Sequence, residues 1–324
     1  MLQSVLEEFD LLSDCNETPL GNDGGFSGSE IWKIESRNRG CFCLKRWPIQ
    51  FQDESRIQWI HKILVFSQAN GCPEIVAPLP TRSGKTYVFS NGTYWELSTW
   101  ADGEICASDK INQQRIESAM HWLARFHQAT ARYFFNFSPS KKIVDVRNRL
   151  LNLQTEIQTI EQHRGHHQVL PDEDWLIFKQ RAPAIATDIA RFLLPFSSQM
   201  YPVQPVVRDI RPDHLFFDGE QVSAVIDFAA MQIDTVACDL SRLLGGFFED
   251  DARQFSGAID TYAQHRAVHV FEREVILPLN HASVILGIAN WLRWLVIDKK
   301  HFDSAAEVSN RLQNLFRRFH SFSN

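Results

Sequence analysis

The sequence predicts an α+β fold in two lobes, a small antiparallel, strand-rich lobe at the amino terminus and a larger, mainly helical one after it. Three observations lead there. Hairpin signals crowd the first hundred residues, where β-prone runs flank Asn38-Arg39-Gly40 and Asn91-Gly92. After Trp100 the apolar residues recur at spacings of three and four, the repeat of helices buried along one side. The helical half is interrupted once, by a hairpin pattern within residues 205–227. The change of character sets a boundary between an amino-terminal lobe, 1–98, and a carboxy-terminal lobe, 99–324.

The elements follow in order. Ile31 to Ser36 and Cys41 to Arg46 form the first hairpin, and Lys85 to Phe89 and Thr93 to Leu97 the second. Between them, Glu54 to Asn70 carries Ile57, Ile60, Leu64 and Phe66 at roughly helical spacing, with Gly71 placed to end the helix. Ile116, Met120, Leu123 and Phe126 mark the next helix, and further helices are expected over 144–160, 174–194, 252–267, 281–297 and 305–320. Leu215-Phe216-Phe217 and Val222 to Ile226 flank Asp218-Gly219 as a third hairpin.

Composition bounds the function. A chain of 324 residues with 44 % hydrophobic and 22 % charged residues has the make-up of an ordinary globular protein. A net charge of -6 argues against a general nucleic-acid surface, which needs a basic stripe. The 6 cysteines are scattered without a C-x-x-C pair, as in a reducing compartment. No basic segment followed by an apolar core opens the chain, and the longest apolar stretch, 284–297, is broken by Asn290 and Arg293 and reads as a buried helix. A cytoplasmic protein with no nucleic-acid or membrane partner is expected.

The chemistry concentrates around the third hairpin. Val207-Arg208-Asp209-Ile210-Arg211-Pro212-Asp213-His214 leads into it and Val225-Ile226-Asp227-Phe228-Ala229 leads out. In a hairpin centred near Gly219, His214 and Asp227 fall at the open end on neighbouring strands, and Asp209 enters from the preceding loop. Converging carboxylates need a cation between them. A divalent metal carrying nucleotide phosphates is the natural one, since Mg²⁺ takes few protein ligands and fills the rest with phosphate and water. Set beside the kinase signature H-R-D-L-x-x-x-N and its partner D-F-G, the chain agrees or nearly agrees at Arg208, Asp209, Ile210, Asp227 and Phe228. In phosphoryl transfer one carboxylate receives the proton of the attacking hydroxyl and another holds the metal. Asp209 is the candidate base, grouped with Arg211 in the same loop, and Asp227 the candidate metal ligand. Val207 replaces the signature histidine. His214 replaces the metal-binding asparagine, and its imidazole suits Zn, Mn or Fe better than Mg²⁺. Asp213 is the alternative oxygen donor.

The phosphate-binding candidates lie upstream. Gly24-Gly25-Phe26-Ser27-Gly28 lets backbone N–H groups approach phosphate oxygens where no Cβ intervenes. Lys45 shares a strand face with Cys41 and Cys43 by period two, leaving Arg46 on the other. Glu54, at the start of the next helix, is a candidate ion-pair partner for Lys45 or simply a favourable helix-start acid. Glu96 and Ser98, near the end of the last strand, fall where a connector would offer its backbone to an adenine ring. His163, His166 and His167 read as a solvated loop. Trp100, Trp291 and Trp294 are candidates for an aromatic acceptor pocket, with core packing the default for the last two.

These segments, with Glu96-Leu97, Cys238-Asp239-Leu240-Ser241-Arg242-Leu243-Leu244 and Trp122-Leu123-Ala124-Arg125-Phe126-His127, resemble the aminoglycoside phosphotransferase and choline kinase family, over two thirds or more of the chain. The resemblance implies a protein-kinase-like fold. It also implies transfer of the γ-phosphoryl group from ATP, with Mg²⁺ or Mn²⁺, to a hydroxyl of a small-molecule acceptor. Asp209 would then be the base, with Asp227 and His214 at the metal. Gly24, Gly25, Ser27, Gly28, Lys45, Glu54, Glu96 and Ser98 would lie around the nucleotide. Asp239 looks structural, an acid satisfying backbone donors. A nucleotide-binding pseudokinase with a regulatory or scaffold role is the alternative that His214 motivates. The lack of an A-P-E segment after Asp227 argues against a protein kinase.

Overall fold

Ile34, Phe42, Leu44, Trp95 and Leu97 alternate along their strands and turn to one buried face. That pattern builds a five-stranded antiparallel sheet from β1 (Cys15–Gly21), β2 (Glu30–Ser36), β3 (Gly40–Arg46), β4 (Val88–Ser90) and β5 (Thr93–Thr99), in the order β1-β2-β3-β5-β4. A short helix, α1 (Leu2–Glu8), covers the apolar face with Val5 and Leu6. The β4–β5 turn takes Asn91 and Gly92 at φ 52° and 73°, the two positive values that a tight hairpin turn requires and that these residues tolerate. The computed structural model describes residues 2–11, 15–21, 28–51, 53–163, 172–302 and 304–322.

The helix α2 (Glu54–Ala69) starts where the Asp53 carboxylate accepts the Arg56 N–H at 3.0 Å, and buries Ile57, Ile60, Ile63 and Leu64. After β6 (Glu104–Ile105), α3 (Gln113–Tyr133) buries the expected stripe of Ile116, Met120, Leu123 and Phe126 and packs on α2. The third hairpin forms as β9 (Leu215–Asp218) and β10 (Gln221–Val225), with β6 added to its edge. Its outgoing end is pinned by the Val225 N–H donating to Glu74 O at 2.8 Å and the Val76 N–H to Val225 O at 3.1 Å. Arg56 of α2 reaches the carbonyls of Ala229 and Met231 at 3.0 and 3.2 Å, fastening the chain just beyond Asp227.

These elements form one compact unit, Met1–Tyr133 with Pro212–Met231. The second unit comprises Phe134–Arg211 and Gln232–Asn324. Packing thus groups α3 and the third hairpin with the sheet. The expected 98/99 boundary follows the change from strand-rich to helical sequence.

In the second unit, β7 (Asn136–Ser138), β8 (Tyr201–Val206) and β11 (Gln232–Asp234) make a three-stranded sheet in the order β11-β8-β7. Around it stand α4 (Lys141–Leu151), α5 (Leu153–His163), α6 (Asp172–Leu193), α7 (Ala237–Phe248), α8 (Ala252–Ala263), α9 (Val270–Leu292) and α10 (Ala305–Phe322). The single helix expected over 144–160 is two, because Asn152 leaves helical geometry at φ -90°, ψ -2°. The helix expected over 281–297 begins at Val270 and runs on through a π-helical turn, Arg293–Ile297. At 28 residues it is longer than the apolar stretch read from the sequence, and long and apolar enough to cross a membrane by length and composition alone. Its apolar window is 67 % buried, and α9 packs on α4, α6, α7 and α10 as a core helix. All six cysteines are free thiols.

Candidate active site

In the first unit, Lys45 and Glu96 are direct register partners on β3 and β5, so their side chains leave the sheet on the same face. Lys45 Nζ lies 4.0 Å from Glu96 Oε1 and 3.8 Å from Asp227 Oδ1, and 4.9 Å from the centre of the Trp47 ring. Glu96 is braced from two sides. Trp47 Nε1 donates to Oε2 at 2.8 Å, and His61 Nε2 meets the same oxygen at 2.8 Å. A carboxylate only accepts, so Nε2 carries the hydrogen of that bond, and Nδ1 is hydrogen-bonded to Thr86 Oγ1 at 2.8 Å. Burial alone would raise the Glu96 pKa, but the His61 hydrogen bond, the Lys45 charge and the Trp47 hydrogen bond outweigh it and pull it down to about 2. Burial likewise works against the Lys45 cation, and the charges of Asp227 and Glu96 overcome it and raise its pKa.

The carboxylate beside Lys45 is therefore Glu96, on a strand. Glu54, the helical candidate, is engaged elsewhere: it accepts from the Tyr87 hydroxyl and lies 3.4 Å from Lys85 Nζ. The signal for Glu96 was present in the register of the two strands, which places it opposite Lys45 once β3 and β5 are paired. Ser98 sits opposite Cys43 within β5, and the connector spends the Trp100 N–H on Cys41 O at 3.0 Å.

Linkage gives the Glu96 pocket a pH signature. A carboxylate whose pKa is depressed by folding stabilises the folded state above its ordinary value of 4.5, and that contribution is lost as pH falls toward about 2. The contribution at neutral pH is about 3 kcal/mol. Acid titration of the wild type should show stability falling steeply below about pH 4.5, and Glu96→Gln should flatten that limb while lowering the neutral-pH urea midpoint. An acid limb unchanged by the substitution would contradict the coupling.

Asp227 closes the open end of the β9–β10 hairpin. It is held at φ 63°, a left-handed conformation unusual for a residue with a side chain and a mark of local strain at functional sites. Its carboxylate is 44 % exposed. The buried His214 places Nε2 3.7 Å from Asp227 Oδ2, and its carbonyl accepts the Ile226 N–H at 3.1 Å. Asp213 is exposed beside it in a short 3₁₀ turn. Among the described residues no group of three or more His, Cys, Asp and Glu side chains is placed to hold a metal. Asp227 offers the oxygen donor that Mg²⁺ takes, with phosphate and water completing the shell, whereas the His214 nitrogen does not match that ion.

In the second unit, α7 is the platform for the loop that carries Asp209. The fully buried Asp239 accepts the backbone N–H of Val207 at 2.8 Å and of Arg208 at 2.6 Å. One turn further, Arg242 Nε donates to Asp209 Oδ1 at 2.8 Å. Spacing of three puts both residues on one side of the helix. Arg208, at φ 69°, donates its guanidinium to Gln232 of β11. Arg211 is half-buried and is the last residue before the chain enters the first unit. Asp239 thus satisfies backbone donors as expected, but those of the loop rather than of its own helix.

Gly24, Gly25 and Ser27 lie outside the described residues, as do His166 and His167. Gly28 has φ 79°, a region glycine enters without strain. His163 meets Thr159 O of its own helix. Trp291 and Trp294 pack edge to face at 5.2 Å with Phe302 beside them, and Trp100 belongs to the other unit, under Lys33.

Residues 20–273 match the model of the phosphotransferase enzyme family. No curated protein matches the chain. The fold is shared with an aminoglycoside phosphotransferase from Alicyclobacillus acidocaldarius, at 15 % identity and a TM-score of 0.69, covering 99 % of this chain and 93 % of that one. It is shared with a spectinomycin phosphotransferase solved with ADP and spectinomycin, at 12 % and 0.64, covering 95 % and 92 %. A microcompartment-associated aminopropanol kinase gives 12 % and 0.59, covering 99 % and 97 %. With well over half its length matched, this chain belongs to the phosphotransferase enzyme family and has its kinase-like α+β fold.

Proposed function

We propose that the protein transfers the γ-phosphoryl group of ATP to a hydroxyl of a small molecule. The observation that carries this reading is the Lys45 ammonium set between Glu96 and the half-exposed Asp227, a phosphate anchor beside a metal-binding carboxylate. The spectinomycin phosphotransferase bound to ADP, and an amicoumacin kinase bound to AMP-PNP and Ca²⁺, support nucleotide use on this fold. The acceptor oxygen attacks the γ-phosphorus, the bond from that phosphorus to the β-phosphate bridging oxygen breaks, and ADP leaves. Asp209 takes the acceptor proton, held in place by Arg242. Lys45 holds the α- and β-phosphates, and Gly24, Gly25, Ser27 and Gly28 cover them. Mg²⁺, when bound through Asp227, supplies positive charge to the phosphates. The site of action is the cytoplasm, with no nucleic-acid or membrane partner.

The nucleotide assignment is tested on the full chain by calorimetric titration with AMP-PNP and Mg²⁺. Asp227→Asn should reduce Mg²⁺-supported turnover roughly 10²–10³-fold. His214→Asn should strengthen Mg²⁺ binding in the presence of AMP-PNP, since an amide oxygen replaces a nitrogen the ion disfavours. Failure of the wild type to bind AMP-PNP would remove the proposal. His214 beside Asp227 also favours a second reading, a pseudokinase, for which AMP-PNP would bind while no acceptor is phosphorylated with either Mg²⁺ or Mn²⁺.

A further inference from the structure

The second unit surrounds the Asp209 loop with cations that few acids answer. β11 holds two of them in place from its two ends. At one end, Asp234 fixes the start of α4, accepting from Ser140 Oγ at 2.6 Å and from the Lys142 N–H at 2.9 Å. At the other, Gln232 accepts from the Arg208 guanidinium. Since Gln232 pairs with Val206, Arg208 stands two residues beyond that register point, next to Asp209. Arg242 approaches from α7.

The partners of these cations are unequal. Arg242 has the Asp209 carboxylate. Arg208 has only a neutral amide for its side chain. The ammonium of the half-buried Lys142 makes no ion pair or hydrogen bond among the described residues. The buried acids nearby are occupied: Asp234 takes the Ser140 hydroxyl and the N–H groups of Lys142 and Thr235, and Asp239 takes those of Val207 and Arg208. Burial, and then the charges of Arg208, Arg242 and Arg149, lower the Lys142 pKa. Arg208 also keeps a long side chain at φ 69°, where glycine would be unstrained, which ties the position to its guanidinium.

We propose that Lys142 and Arg208 form an anion subsite beside Asp209, and that the acceptor carries a carboxylate or phosphate group bound there in addition to its reacting hydroxyl. The inference rests on the phosphotransferase reading and narrows its substrate class to anionic alcohols. A polycationic acceptor would meet like charge at this position. The same chemistry would suit the terminal phosphate of the nucleotide, so the test separates the two sources.

Inorganic phosphate is titrated into the full chain, alone and with saturating AMP-PNP, and AMP-PNP affinity is measured separately. Hydroxy acids and sugar phosphates are then compared with amino alcohols as acceptors. Phosphate should bind the wild type with and without AMP-PNP. Lys142→Gln should weaken it about tenfold or more, as loss of a charge-assisted contact does, while AMP-PNP affinity stays within about twofold. Arg208→Gln should do the same and serves as the second variant should the first not fold. Anionic alcohols should be turned over in preference. Three results would each overturn the assignment: phosphate binding unaffected by both substitutions, displacement of phosphate by AMP-PNP, or preference for cationic acceptors. The phosphate arm needs no nucleotide, so its outcome is separable from a failure to bind AMP-PNP.

Discussion

Asp209→Asn should give a folded protein that binds AMP-PNP as the wild type does and has lost turnover by roughly 10²–10⁴-fold, the range expected when a positioned base is removed. The amide keeps an oxygen for the Arg242 Nε hydrogen, so the loop retains its anchor and only the proton acceptor is gone. The loss should fall on kcat, with the nucleotide KM nearly unchanged, because an interaction made only in the transition state has been removed. Steady-state kinetics beside calorimetric binding separates this from misfolding. Turnover equal to the wild type would exclude Asp209 as the base.

Asp239→Ala should produce the largest loss of stability. Both of its oxygens are committed to the backbone N–H groups of Val207 and Arg208, and Val207 is fully buried. Deleting the carboxylate strands two donors, each at a cost of about 1–3 kcal/mol. A fall in urea-unfolding stability of about 2–5 kcal/mol is expected, with roughly half of that for Asp239→Asn, which keeps one acceptor. Turnover should drop as well, since Arg208, at φ 69°, precedes the base and relies on that acceptor. A midpoint unmoved by Asp239→Ala would show that the loop is held by other contacts.

Local signals in the sequence were sufficient where one residue type has one good use. Asn91-Gly92 reads as a tight turn, and the structure forms it with both φ values positive. The stripe Ile116, Met120, Leu123, Phe126 gives α3 its buried face. The α1 helix and β1 were not legible, because a seven-residue helix has too few turns to show a period and Cys15–Gly21 is polar and mostly exposed, with Pro19 inside it. The break at Asn152 was hidden because apolar residues continue at helical spacing on both sides of it.

The site shows the same division. The order of Asp209, His214 and Asp227 along the chain was readable from spacing, and His214 lies beside Asp227 at the hairpin's open end. The partner of Lys45 was not, because the sequence offered Glu54 on the next helix and only the pairing of β3 with β5 brings Glu96 opposite the lysine. His61 and Trp47 carry no motif at all. Their function comes from burial against Glu96, which only packing reveals. The contact of Asp239 with Val207 and Arg208 spans about thirty residues of chain and follows from where α7 packs.

The twenty-residue stretch holding Asp227 returns to the first unit after a long excursion through the second. No single scission of the polypeptide can therefore release either unit whole. A truncated product ending after Tyr133 would keep the lysine and glutamate of β3 and β5 but lack the aspartate that flanks them. Loss of the segment after Met231 would leave every residue of the first unit in the chain and break the second, so the second unit cannot be traded whole as a terminal piece.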